Sequence, residues 1–180
     1  ELNAFVQGLF NESTMIRFFH VITACLMAGC FFTIGVCAYR IIKDKEGKVF
    51  KKIIPAAAAA VSILSLSQIF PFGHRQIVEV QENQPVKFAT FEGVYESQAD
   101  IPFLLFGIPI KQPPYVIGKV GIPGLMKYLL GVSKDYRVLG LKDVAAEDYP
   151  PLPVAFSTFH IMVYFGIFMA VAAAALVFLL

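Results

Sequence analysis

Charge is scarce in this sequence. Only 16% of its 180 residues are Asp, Glu, Lys or Arg, against roughly 25% in ordinary soluble domains. Hydrophobic residues make up 57%, and the mean hydropathy is +0.68. That shortage argues against an ordinary soluble globule and puts membrane spans ahead of any domain count. The net charge is +2, and the basic residues do not gather on an aromatic-bearing patch, so no nucleic-acid partner is expected. Cysteine is sparse as well. Cys25, Cys30 and Cys37 share one apolar run at spacings of five and seven, which match no metal or redox signature; they read as small packing residues. The start at Glu1 has no methionine, basic n-region or small-residue cleavage site, so no signal peptide is expected. The opening ELNAFVQGLFNES reads as a connector entering a helix, and the final AVAAAALVFLL is still apolar. Both ends carry the expectation of one piece of a larger polypeptide or complex.

Three long apolar runs fill the rest. The first covers about residues 13–41, with Asn11 or Ser13 as N-cap and Glu12 beside the helix dipole. The second covers about residues 53–70, with Pro55 near its first turn and Pro71 closing it. The third covers about residues 154–180. Each approaches the roughly 20 residues that a bilayer core requires. The spacing therefore predicts an all-α membrane protein: three transmembrane helices with a long extracytoplasmic loop between helices two and three. The expected divisions are 1–72 (connector and two spans), 73–152 (loop) and 153–180 (third span).

Orientation follows from the short basic connection between the first two runs. Arg40, Lys43, Lys45, Lys48, Lys51 and Lys52 crowd it, which assigns it to the cytoplasm and the long loop to the other side of the cell membrane. From Pro71 to Pro153 the chain holds ten of its eleven prolines, so this stretch reads as an ordered loop with short elements such as PPYVIGKVGIPGLMKYLLGV. Long loops of this kind are uncommon unless functional.

Polar residues in the spans are the candidate site. His20 lies in a run of 22 residues between Arg17 and Arg40, and a polar ring in hydrocarbon is costly without a partner. His160 and Met162 enter the third span from the same outer face. At 1.5 Å per residue all three side chains lie about 9–13 Å deep. An imidazole and a thioether at one depth are a natural axial pair for haem iron. His160 is the rival ligand; it sits about 200° around the helix from Met162, so both cannot face one iron. Ala24 and Ala28 below His20, and Gly166, Ala170 and Ala174 on the third span, permit close approach. In the loop, Pro85 can start a helix. Lys87 and Glu92 lie five residues apart, about 140° around an ideal helix, so they are not an i,i+4 pair. Glu79, Glu82 and Glu96 are alternative carboxylates, and Phe91 and Tyr95 are candidate stacking rings.

Three blocks resemble subunit I of the cytochrome bd quinol oxidases, in that family's order. RFFHVITACLMAGCFFTIGVCAYRI resembles its fifth helix, GHRQIVEVQENQPVKFATFEGVYESQADIPFLLFGIP the start of its quinol-binding loop, and FSTFHIMVYFG its seventh helix. The resemblance covers nearly the whole chain. It implies that His20 and Met162 are the axial ligands of a haem b of the b558 type. It implies that Lys87 and Glu92 serve quinol oxidation, and that His160 stands where some members have arginine. It implies a quinol oxidase, oxygen-reducing and electrogenic as part of a larger complex and inactive alone. Further haems, b595 and d, are expected only on other parts of that complex. Expected partners are ubiquinol or menaquinol, the lipid bilayer, the remaining subunit I helices and subunit II. Two other readings stay open: an electron-transfer cytochrome b subunit that does not reduce oxygen, and a haem-free scaffold of the same fold.

Overall fold

The computed structural model describes residues 2–44, 47–111, 115–133 and 136–180. Lys45 of the basic connection, and Pro113 and Pro114 at the head of the loop stretch quoted above, lie outside the described residues. Two compact units divide the chain, Glu1–Gln76 with Phe165–Leu180, and Ile77–Tyr164.

In the first unit a short helix α1 (Leu2–Leu9) leads into α2 (Glu12–Asp44). The boundary is chemical: Asn11 Oδ1 accepts the Thr14 N–H at 2.8 Å, satisfying one orphan donor of the new helix. Glu12 in the first turn also pairs with Arg75. Helix α3 (Lys48–Ser67) follows, carrying Pro55 in its interior. The expected stop at Pro71 does not occur. A π-helical turn (Gln68–Gly73) carries the chain past it into α4 (His74–Asn83), so Lys48–Asn83 is one continuous helical span of 36 residues. Proline has no N–H to give to an α-helical ladder, and the wider turn absorbs the gap: the His74 N–H reaches back five residues to the Ile69 carbonyl. Gly73 is required there, since a Cβ would stand 2.6 Å from the Gln68 carbonyl oxygen.

The run of five alanines in α3 lets backbones come close. Ala58 and Val61 are fully buried, and Val61 packs with Met27, Ile34 and Ala173. Ser62 satisfies its hydroxyl on the Ala58 carbonyl at 2.8 Å, so a polar group inside a span has a local acceptor. The outward faces stay apolar: Phe32, Ile42, Ile63, Phe168 and Phe178 are all exposed. Three helical stretches, Glu12–Lys43, Lys48–Asn83 and Leu152–Leu179, are long and apolar enough to cross a membrane.

The second unit corrects the expectation of an all-α chain. Helix α5 (Pro85–Phe91) begins at Pro85 as read from the sequence. Four strands follow, interrupted by a short helix: β1 (Gln98–Ala99), β2 (Phe103–Ile110), β3 (Tyr115–Ile122), α6 (Leu125–Leu130) and β4 (Arg137–Val138). β2 and β3 form an antiparallel hairpin; β1 pairs antiparallel with β4. FLLFGIPI and YVIGKVGI are rich in the aromatic and β-branched residues that suit a pleated surface, and neither holds a helical stripe. The chain closes with α7 (Leu152–Leu179), whose first turns belong to this unit. The unit has its own core, built around Phe88, Val94, Leu104, Val116, Met126 and Phe156.

Residues 140–142 lie against residues 94–97. The Leu141 and Lys142 N–H groups donate to the Val94 and Tyr95 carbonyls at 3.1 and 2.9 Å, and the Gly140 N–H donates to Ser97 Oγ at 2.7 Å. A Cβ on Gly140 would come within 2.4 Å of backbone atoms of Glu96 and Ser97. Backbone cannot swing aside as a flexible side chain can. Gly140→Ala is therefore expected to destabilise the loop unit by about 1–3 kcal/mol, seen as a lower unfolding temperature and faster proteolysis between residues 94 and 143.

Candidate functional site

Helix α5 ends at Phe91 with Glu92 as its C-cap. Gly93 adopts φ +59°. The Val94 N–H bonds the Ala89 carbonyl at 2.8 Å, and the Gly93 N–H bonds the Thr90 carbonyl at 3.4 Å. This is a Schellman stop, which needs glycine at the left-handed position. Gly93 is also wedged sterically: a Cβ would stand 2.4 Å from Val116 Cγ2 of β3. The turn drives the Glu92 side chain inward, leaving it 2% exposed.

Inside, Glu92 finds little help. Its Oε2 accepts the Leu104 N–H of β2 at 3.4 Å, and its Oε1 is buried without a partner. Desolvation pushes the carboxyl pKa up to about 8, with the Leu104 hydrogen bond pulling weakly the other way. Glu92 is therefore mostly protonated at neutral pH. It is poised to change protonation close to working pH, as suits a proton-transfer group. Lys119 of β3 donates from Nζ to the Gly93 carbonyl at 2.9 Å, and desolvation lowers its pKa. The alternative carboxylates differ. Glu96 is exposed and paired with Lys142 at 3.1 Å, Glu82 is exposed, and Glu79 is buried with its Oε1 accepting from Asn83 Nδ2 at 3.3 Å.

Lys87 is exposed on α5, with Nζ 5.5 Å from the Phe91 ring centroid, within cation–π range. No hydrogen bond or ion pair joins it to Glu92 among the described residues. Phe91 is already stacked on Phe159, centroids 4.6 Å apart and planes 3° apart.

On α7, His160 and Met162 take different environments, as two residues 200° apart must. Met162 is 52% exposed; His160 is 4% exposed. His160 Nδ1 lies 2.9 Å from the Phe156 carbonyl and Nε2 lies 3.2 Å from the Leu104 carbonyl. Only N–H can bond a carbonyl oxygen. A neutral imidazole thus serves one of them and an imidazolium serves both.

In the first unit His20 is half-buried on α2, and its Nε2 lies 3.2 Å from Gln68 Nε2 in the π turn. His20 Nδ1 and Gln68 Oε1 are buried without partners. The Gln68 amide nitrogen can only donate, so His20 Nε2 accepts and the neutral ring carries its proton on Nδ1; Nε2 is then the nitrogen with a lone pair that could hold a haem iron, in place of the Gln68 contact.

Reasoning from sequence had missed Leu104, Lys119 and Gln68. The glycine directly after Glu92, eight residues beyond Pro85, was the available signal that Glu92 caps a short helix. No local pattern reveals which strand covers it.

Fold and site together define a membrane-spanning helical module carrying a buried, protonatable carboxyl in a folded segment between its second and third spans. The chain belongs to the cytochrome bd terminal oxidase subunit I family, whose model matches residues 1–180. It is 31% identical over 183 residues to cytochrome bd ubiquinol oxidase subunit 1 of Bacillus subtilis (strain 168), covering 96% of this chain and 39% of that one. It is 28% identical over 153 residues to cytochrome bd-II ubiquinol oxidase subunit 1 of Escherichia coli (strain K12), covering 84% and 30%. The fold matches the structure of bd oxidase from Geobacillus thermodenitrificans with a TM-score of 0.85 at 24% identity, over 96% of this chain and 39% of that one. The chain thus spans less than two fifths of the length of these relatives.

The sign of the Glu92 effect on stability follows from its raised pKa. Below the ordinary carboxyl pKa of 4.5 both folded and unfolded forms are protonated. Between there and about 8 the unfolded chain loses the proton and the folded one keeps it, so stability falls as pH rises through that window. Thermal unfolding in detergent is expected to show this decline, and Glu92→Gln to flatten it.

Proposed function

We propose that this chain is the quinol-oxidising, haem b-binding part of a bd-type terminal oxidase subunit I. In this reading the second unit lies on the extracytoplasmic side of the cell membrane and receives quinol, either ubiquinol or menaquinol. The observation that carries the reading is Glu92: a carboxyl 2% exposed, with one oxygen unserved and a pKa near 8, in a chain whose family includes named ubiquinol oxidase subunits.

Oxidising a quinol to a quinone removes two electrons and two protons. In its deprotonated form Glu92 accepts a proton from a quinol hydroxyl through the unserved Oε1. A raised pKa makes it a strong enough base for a weakly acidic hydroxyl and still leaves it deprotonated part of the time at working pH. Lys87, exposed and able to donate three hydrogen bonds, holds the other polar contact with the headgroup. His20 and Met162 are the residues that would hold the haem. The lone pair of His20 Nε2, in contact with the Gln68 amide, and the exposed thioether of Met162 support that pairing; His160, with both ring nitrogens facing carbonyls, is the poorer ligand. A haem so held would supply a one-electron acceptor that takes the two electrons in turn, and the second proton would leave to the extracytoplasmic water. Oxygen reduction and its further haems belong to other parts of the complex, with the remaining subunit I helices and subunit II as partners.

In the complete oxidase, quinol turnover is expected to rise with pH, with its midpoint near 8, and to level off above it, where Glu92 is mostly deprotonated. Glu92→Gln should remove that limb and lower turnover at least about 100-fold with the haem spectrum intact; an unaltered pH profile would eliminate Glu92 as the proton acceptor. His20→Ala is expected to abolish the low-spin haem b signal, and Met162→Leu to leave the iron high-spin. Loss of the signal in His160→Ala, with Met162→Leu unaffected, would assign the second ligand to His160. Oxygen uptake on adding quinol, with haem d absorbance, separates an oxidase from an electron-transfer cytochrome.

A further inference from the structure

We infer that His160 is a positioning residue for Glu92, acting through a β-bulge that α7 clasps. For turnover, this rests on the reading of Glu92 as the quinol-facing acid.

The bulge is in the hairpin register. Leu104 pairs with Gly121 and Phe106 with Val120, so Leu105 is the extra residue on β2. In a regular strand, successive carbonyls point to opposite sides and one helix cannot serve two neighbours. A bulge breaks that alternation and re-aims the backbone. Here the consecutive carbonyls of Leu104 and Leu105 both meet α7: His160 Nε2 lies 3.2 Å from the first, and the Tyr164 hydroxyl donates to the second. His160 and Tyr164 stand four residues apart on one helix face. The N–H of the same residue, one peptide group earlier, donates to Glu92, and no other hydrogen bond holds that carboxyl among the described residues. Its position therefore depends on where Leu104 is pinned.

His160 is built as a rigid strut. Its other nitrogen meets the Phe156 carbonyl, and its ring stacks on Phe156 at 4.0 Å between centroids. The clasp also belongs to the helix that carries Met162, so one set of hydrogen bonds ties the acid-bearing loop to that helix.

The test uses the complete oxidase in membranes. His160→Phe keeps an aromatic ring and its stacking while removing the ring nitrogens. Tyr164→Phe removes the second tie, and His160→Gln keeps an N–H-bearing group. The first readout is the infrared carboxyl C=O band that Glu92→Gln deletes, which reports the hydrogen bonding of Glu92 whatever its role. The second is the split between KM and kcat for quinol. In His160→Phe the band is expected to move, and kcat to fall about three- to tenfold while KM changes less than about twofold, as for a misplaced proton acceptor. Tyr164→Phe is expected to act in the same direction more weakly, and His160→Gln to return both readouts toward wild type. An unmoved band and kcat in His160→Phe overturn the inference, as does loss of the low-spin haem signal with the band unmoved, which makes His160 a ligand instead. A moved band alongside unaltered turnover in Glu92→Gln keeps the clasp and removes the quinol role of Glu92. Should His160→Phe fail to assemble, Tyr164→Phe decides: an unmoved band there overturns the inference.

Discussion

A carboxyl drawn out of water, with one long hydrogen bond and no paired cation among the described residues, is the constraint around which the second unit is arranged. Glu92 sits where α5 must stop, because Gly93 takes a left-handed turn that side-chain-bearing residues resist. That turn is in van der Waals conflict with anything larger than glycine, since Val116 of β3 fills the space. The neighbouring strand β2 supplies the acid's one donor among the described residues, the Leu104 N–H. Removing the carboxyl from water costs free energy, and the protein meets that cost by leaving the group protonated up to about pH 8. Structure that stability alone would disfavour is then available for chemistry, as is common where local strain and function coincide.

The first unit treats its polar residues in two ways. Ser62, Ser67 and Thr33 turn their hydroxyls back on carbonyls one turn earlier in their own helices, which satisfies them inside an apolar span. His20 and Gln68 meet each other and still leave one buried atom each without a partner. Ser65 Oγ, one turn before Gln68, is likewise buried without a partner, so incomplete satisfaction gathers at His20 and this stretch of the second span rather than at a single residue. The π turn carrying Gln68 is created by Pro71 and permitted by Gly73. A residue that reads as a helix stop instead changes the helix's pitch and sets Gln68 opposite His20.

Much of the architecture was legible because it depends on local chemistry. Hydropathy marked three spans, Asn11 and Ser13 marked the start of α2 as alternative caps, of which the structure uses Asn11, and Pro85 marked the start of α5. The hairpin was hidden. Residues 103–122 are almost uniformly apolar, so a period of two never stands out, and strand and loop cannot be told apart by composition. The roles of the carboxylates were hidden for a related reason. Glu79, Glu82, Glu92 and Glu96 are chemically alike in the chain, and differ in what packs over them.

By itself, then, the sequence determined the membrane class, the number of spans, the helix starts and the short set of polar residues worth attention. Each depends on a residue's own chemistry or on neighbours within one or two turns. Tertiary structure alone decided that Glu92, and not Glu79, is the buried acid with an unserved oxygen, that His160 faces backbone carbonyls while Met162 stays exposed, and that the second span runs on through Pro71. Burial, desolvation and hydrogen-bond partnership arise from residues such as Leu104 and Val116, brought in from distant strands, and no local pattern encodes which of them arrive.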